Sequence, residues 1–129
     1  MKPEYKKEIL KIEETIKNLK YKIYENQENI KAIYKKIGSE MFFPIGTKVE
    51  YKKRGMDILL DGKIDKYYRN FYFFDEEHET KEYIDIDIRR EGMGRDEIET
   101  VRRDESLIIE GKEYTIDMIR EILGGFYKL

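Results

Sequence analysis

No cysteine occurs among the 129 residues, which excludes disulfides and thiolate chemistry and makes a reducing cytoplasm the natural setting. Tryptophan is absent as well, so the bulk of a small core must come from eleven tyrosines and six phenylalanines. The single histidine, His78, rules out a His-based metal cluster within one chain, and its acidic surroundings mark it as an exposed bystander rather than a catalytic base. Ser39 and Ser106 are the only serines; there is no nucleophile elbow and no glycine-rich phosphate loop. No apolar run approaches the roughly 18–20 residues of a membrane span, and the charged beginning of the chain has no signal-peptide core. Together these absences predict a soluble, cytoplasmic protein that is not an enzyme and uses neither metal nor cofactor.

Charge is abundant: 42% of the residues are charged, against 40% hydrophobic. The net charge of -2 conceals an asymmetry, because residues 1–37 carry ten Lys/Arg and six Asp/Glu, while residues 38–129 carry sixteen and twenty-two. A net acidic globular part is a poor binder of unspecific duplex DNA, which rests on phosphate neutralisation.

The first 37 residues repeat apolar side chains at alternating steps of three and four. Ile9, Ile16, Ile23, Ile30 and Ile37 take the a positions of a heptad; Tyr5, Ile12, Leu19, Asn26 and Ile33 take the d positions. A helix of this length reaches roughly 50 Å, more than a small domain is wide, so the stripe predicts self-association. Isoleucine at a, with Ile or Leu at most d positions, favours a trimer or a higher oligomer, up to a hexamer, over a dimer. A fold-back onto the domain, or a hairpin broken near residues 25–29, is the competing reading. Pro3 suits the first helical turn, and Gly38 is the expected left-handed stop.

Residues 39–46 read as a joint, with Phe42 and Phe43 anchoring the helix base and Pro44 and Gly46 making a turn. From residue 47 the period changes to two. Strands are expected at 48–52, at 63–68 after an Asp61-Gly62 hairpin turn, at 71–74 after a turn at Arg69-Asn70, at 83–89, at 97–103 and at 107–109. Glu110-Gly111 closes a last hairpin, and Thr115 caps a closing helix over 115–123 that Gly124-Gly125 stops. The expected fold class is therefore α+β. An oligomerising helix (1–38) precedes an antiparallel β domain (47–129), either a small sheet or a partly open barrel, with a short C-terminal helix.

Ile84, Ile86 and Ile88 face the core in this reading, leaving Asp85 and Asp87 on a solvated face. Paired carboxylates about 7 Å apart along a strand can hold Mg²⁺ or do acid–base work, but the solvated face is the favoured account. Arg89, Arg90, Arg95, Arg102 and Arg103 flank or occupy a glycine loop at 91–96. Arginine forks grip phosphate and stack on flat rings, and Tyr83 lies close by in sequence. These six residues are the candidate ligand site for a nucleotide-like anion; surface ion pairs with neighbouring carboxylates are the plainer alternative. The acidic stretch Asp75–Glu82 suggests a different role, an acidic surface that occupies the nucleic-acid channel of a nuclease, in the manner of an anti-CRISPR protein. A third role is that of a structural assembly protein built for its stem.

Two resemblances accompany these residues. The Gly46-x-x-Val49-x-Tyr51 strand and the Asp61-Gly62-Lys63-Ile64 return resemble the opening of an SH3-like or Tudor-like barrel, which implies a binding scaffold and leaves its ligand open. A short chain rich in Lys, Glu, Ile and Tyr, helix first and antiparallel sheet after, resembles phage Thoeris anti-defence proteins. That resemblance implies a sponge in the host cytoplasm that sequesters a nucleotide signal from a bacterial defence protein, with arginines and an aromatic holding the ligand. The residues matching in kind are Arg89, Arg90, Arg95, Arg102, Arg103 and Tyr83.

Overall fold

A computed structural model describes residues 1–74, 79–92 and 96–124, and the side chains of these except 71–74, 79–81 and 96. Its elements are those of an α+β protein: a long helix, a six-stranded antiparallel sheet and a short second helix. They form two compact units, residues 1–32 and 33–129.

Helix α1 runs from Pro3 to Met41, with proline in the first turn as expected. In the first unit every side chain is exposed, the heptad residues Tyr5 to Ile30 included. The end of α1 departs from the expectation. Gly38 does not stop the helix; Phe42 N–H still donates to Gly38 O (2.9 Å), one helical turn on. Gly38 is buried because the Tyr67 ring lies where its Cβ would be. The residue serves close approach rather than a left-handed turn. Ile37, the last member of the heptad series, is half-buried against the domain core, and Tyr34 is buried in it. The exposed stripe therefore ends at Ile33.

In the second unit the strands are β1 (Lys48–Lys52), β2 (Leu60–Phe74), β3 (Glu79–Glu91), β4 (Asp96–Thr100), β5 (Ser106–Ile109) and β6 (Lys112–Thr115). Their order is β4-β3-β2-β1-β5-β6, every neighbour antiparallel. Neither expected turn inside β2 exists. Asp61 and Gly62 pair with Glu50 and Val49 on one side, and Gly62 pairs with Arg90 on the other. Arg69 and Asn70 pair with Ile84 and Tyr83. Gly62 is a close-approach glycine too: a Cβ there would lie 2.7 Å from Ile88 Cγ2 and 2.9 Å from Arg89 O. The true connection, 53–59, turns instead at Gly55, where φ is +80°. Strand 97–103 is shorter than expected and ends at Thr100.

Local chemistry accounts for the rest. Glu110 (φ +53°) and Gly111 (φ +80°) form the two left-handed corners of the β5–β6 hairpin. Thr115 Oγ1 accepts the Met118 N–H at 3.3 Å and caps α2 (Ile116–Leu123), a contact worth about 1 kcal/mol. Gly124 (φ +72°) ends that helix. The core gathers Val49 and Tyr51, Ile64 and Tyr67, Ile84, Ile86 and Ile88, Leu107 and Ile109, and Ile116, Ile119 and Leu123 of α2. β1 and β3 contribute alternate residues, as strand geometry requires, while β2 contributes Ile64 and Tyr67 on either side of a register shift. Phe42 and Phe43 pack edge-on against Tyr114, so the joint anchors the end of α1 as expected.

Candidate functional site

The sheet curls over its core face. Lys53, just beyond β1, forms a salt bridge with Glu99 of β4, although β2 and β3 lie between those strands. A flat sheet would hold them about 14 Å apart. Under this bridge opens a cleft of about 410 Å³, lined by Tyr51, Lys53, Arg54, Ile98, Glu99, Thr100, Arg102 and Glu105.

Glu105 frames the cleft. Its Oε1 accepts the Tyr51 hydroxyl (2.5 Å) and the Arg102 N–H (2.8 Å); its Oε2 accepts the Arg54 N–H (3.1 Å). The Glu105 N–H donates back to Arg102 O, closing the turn that Asp104 shapes with φ of +69°. One buried carboxylate thus ties the 53–59 connection, the 101–105 crossing and β1 together. Burial, and then the hydrogen bond to Glu105 with that carboxylate's charge, raises the Tyr51 phenol far above its ordinary value. Tyr51 is a neutral donor here, not a base. For Glu99, burial favours the protonated form, but hydrogen bonds from Lys53 and Arg90 outweigh it and hold the carboxyl below its ordinary range. Both carboxylates are already satisfied, and the cations Lys53, Arg54 and Arg102 outnumber them.

The sequence-predicted residues have separate surroundings. Arg89 is exposed and binds Asp65 through Nε and Nη2, both at 3.0 Å. Arg90, its neighbour on the opposite face, bridges Glu97 (3.3 Å) and Glu99 (3.2 Å) and so borders the cleft. Arg102 is exposed and lines the cleft, and Arg103, also exposed, lines an adjacent one with Lys52, Ser106 and Glu113. Both follow Thr100, at the end of β4 opposite to Asp96. Among the described residues no ion pair reaches either one. Arg95 and the loop's centre lie outside the described residues, as do His78 and residues 75–77 of the acidic stretch. Tyr83 lies under the Arg120 guanidinium, 4.5 Å from its ring centroid.

Asp85 and Asp87 are not on a solvated face. They are 0% and 5% exposed, and their surroundings are a polar network. Arg120 of α2 donates to Asp85 Oδ1 from Nε (3.4 Å) and Nη2 (3.3 Å), while Asn70 donates to Oδ2 (3.3 Å). Thr100 donates to Asp87 (2.7 Å), so the Tyr68 hydroxyl, 2.8 Å from Thr100 Oγ1, donates to Thr100. Burial pushes the Tyr68 phenol up to about 12. Among the described residues, no group of three or more His, Cys, Asp or Glu is placed to hold a metal ion.

Lys53, Arg54 and Glu105 are site residues that reading the sequence does not find. The sequence carries one signal for Glu105, its place after a charged turn and directly before an apolar strand; nothing local reveals its partners. The fold and cleft define an α+β protein with a long exposed helix and a curled sheet holding a cation-rich pocket. No known protein family, curated protein or solved structure matches the chain. Among the described residues no helix is long and apolar enough to cross a membrane.

Proposed function

We propose that the chain is a non-enzymatic, homo-oligomeric binding protein that captures a small anionic, nucleotide-like ligand in the cleft between Arg54 and Arg102. The observation that carries this reading is the cleft's inventory. Three cations line it, its two carboxylates are occupied by protein donors, and although Lys53 pairs with Glu99 and Arg54 with Asp104 (3.9 Å), Arg102 is exposed with no ion pair among the described residues. Phosphate oxygens would take the arginine forks, and a base or ribose would lie along Ile98 and Thr100. Arg90 supports the site through Glu99 rather than by touching the ligand. Capture of this kind fits a phage-type sponge that withholds a nucleotide signal from a bacterial defence protein.

Calorimetric titration with ATP, ADP-ribose and cyclic di-AMP tests it. Binding of at least one, lost on Arg102→Glu with Arg54→Glu but kept on Arg89→Glu, is the expected result. Loss with Arg89→Glu alone would move the site to the glycine loop. A structural assembly role is the second reading, favoured by the exposed stripe on α1; it predicts oligomers with no affinity for any of the three.

A further inference from the structure

The stripe on α1 narrows the self-association in that reading to one arrangement. We infer that α1 binds two further copies of itself as a parallel three-helix bundle over Tyr5 to Ile33, with Asn26 of each chain meeting the others in one layer. This rests on the proposed self-association and adds its partner number and direction.

Eight apolar seam residues are unpartnered in the chain: Tyr5, Ile9, Ile12, Ile16, Leu19, Ile23, Ile30 and Ile33, each between 44% and 57% exposed. Together they present on the order of 800 Å² per chain, what each partner brings to a standard-size interface. Tyr34, Ile37 and Gly38 are committed to the β domain, so the seam ends at Ile33.

Direction follows from Asn26. In a parallel bundle every d residue faces its own copy, so the amides meet amides and hydrogen-bond each other. The antiparallel register that sets every a against a d places Asn26 against Ile16, where a buried amide has no partner. Charges at the seam's edges speak weakly. A parallel pair sets Glu8 near Glu13; an antiparallel pair gains Glu8 with Lys36 but sets Lys20 and Lys22 against their own copies. Exposed pairs of this kind count for little beside an unpaired buried amide. Strand number follows from shape. Isoleucine at four a positions and at two of the apolar d positions disfavours the dimer. Larger bundles bury the e and g positions, which here are Lys6, Glu13, Lys20 and Gln27, and Glu8, Thr15, Lys22 and Asn29.

These 129 residues contain no cysteine, so one introduced thiol reports whether neighbouring helices run in the same direction. Sedimentation equilibrium of the native protein is expected to give three times the chain mass of 15.7 kDa. Tyr5→Cys, equilibrated in glutathione buffer, is expected to join two chains of each trimer, while Lys7→Cys on the outer face is not. Ile12→Cys, one heptad further along the same seam, is expected to link in the same way and covers the case of a frayed first turn. Antiparallel partners hold the two Tyr5 residues roughly 48 Å apart, so an oligomer that neither seam thiol links overturns the direction and leaves self-association standing. A dimer or tetramer overturns the strand number alone. A monomer overturns this inference and the homo-oligomeric half of the proposed function together, without bearing on the ligand cleft.

Discussion

The Tyr51 hydroxyl donates a 2.5 Å hydrogen bond to Glu105, a carboxylate whose remaining bonds come from two backbone N–H groups, those of Arg54 and Arg102. A side chain 5% exposed thus replaces backbone pairing where the chain crosses from the edge strand β4 to β5.

Glu105→Ala leaves a buried phenol and two N–H groups without an acceptor and is expected to destabilise the domain by about 3–5 kcal/mol. Tyr51→Phe removes only one donor from an acceptor that keeps two others, at about 1 kcal/mol. Urea unfolding of both variants measures this. Equal losses would mean that Glu105 serves Tyr51 alone.

Glu99 gives the cleft a pH dependence. Its carboxyl is held below the ordinary value of 4.5, so the stability it supplies is complete above that pH and is lost as pH falls through its lower folded value. Glu99→Gln should be less stable than the native chain at neutral pH and converge with it in acid. Thermal melts at pH 7 and pH 3 decide it; a constant gap between the curves would sink the assignment.

Gly38→Ala should destabilise despite alanine's better helix propensity. Propensity alone predicts a gain of about 1 kcal/mol, whereas forcing a methyl group into the Tyr67 ring costs about 1–3 kcal/mol or more. The sign of the change in urea midpoint is the readout. A gain would mean that helix and ring separate freely.

Arg120→Met strands Asp85, fully buried, with Asn70 among its remaining partners, and is expected to cost about 3–5 kcal/mol. Adding Asp85→Leu should return much of that loss, since an apolar pair removes the buried charge. If the double variant is no better than Arg120→Met, the pair is not the source of the cost.

Tyr67 and Tyr68 should ionise late. Burial raises each phenol to about 12. The raised folded values contribute stability that is complete below pH 10 and disappears as pH rises towards 12. An absorbance titration of phenolate should show these two ionising with alkaline unfolding; early titration of all eleven tyrosines in a folded protein would contradict it.

What could be read from residues alone were features whose cause is local. The 3.5-residue repeat dictates one helix with one apolar stripe whatever surrounds it. Glu110-Gly111 supplies two left-handed corners, Thr115 supplies a cap acceptor, and the alternation of Ile84, Ile86 and Ile88 requires one buried strand face. Glycine misled at positions 38 and 62 because its two uses, positive φ and close approach, leave the same letter in the sequence. Asp85 and Asp87 misled because alternation separates two faces without saying what covers the second.

Hydrophobic period and turn chemistry act within a few residues, so the α+β order, the long helix and its seam follow from the chain's letters alone. Which charges are occupied is a matter of long-range packing instead. Folding joins Arg90 to Glu99, Arg120 to Asp85 and Tyr51 to Glu105, partners 9, 35 and 54 residues apart. Such pairings depend on strand order and curl, which no local pattern encodes, and they leave Arg102 facing an open cleft.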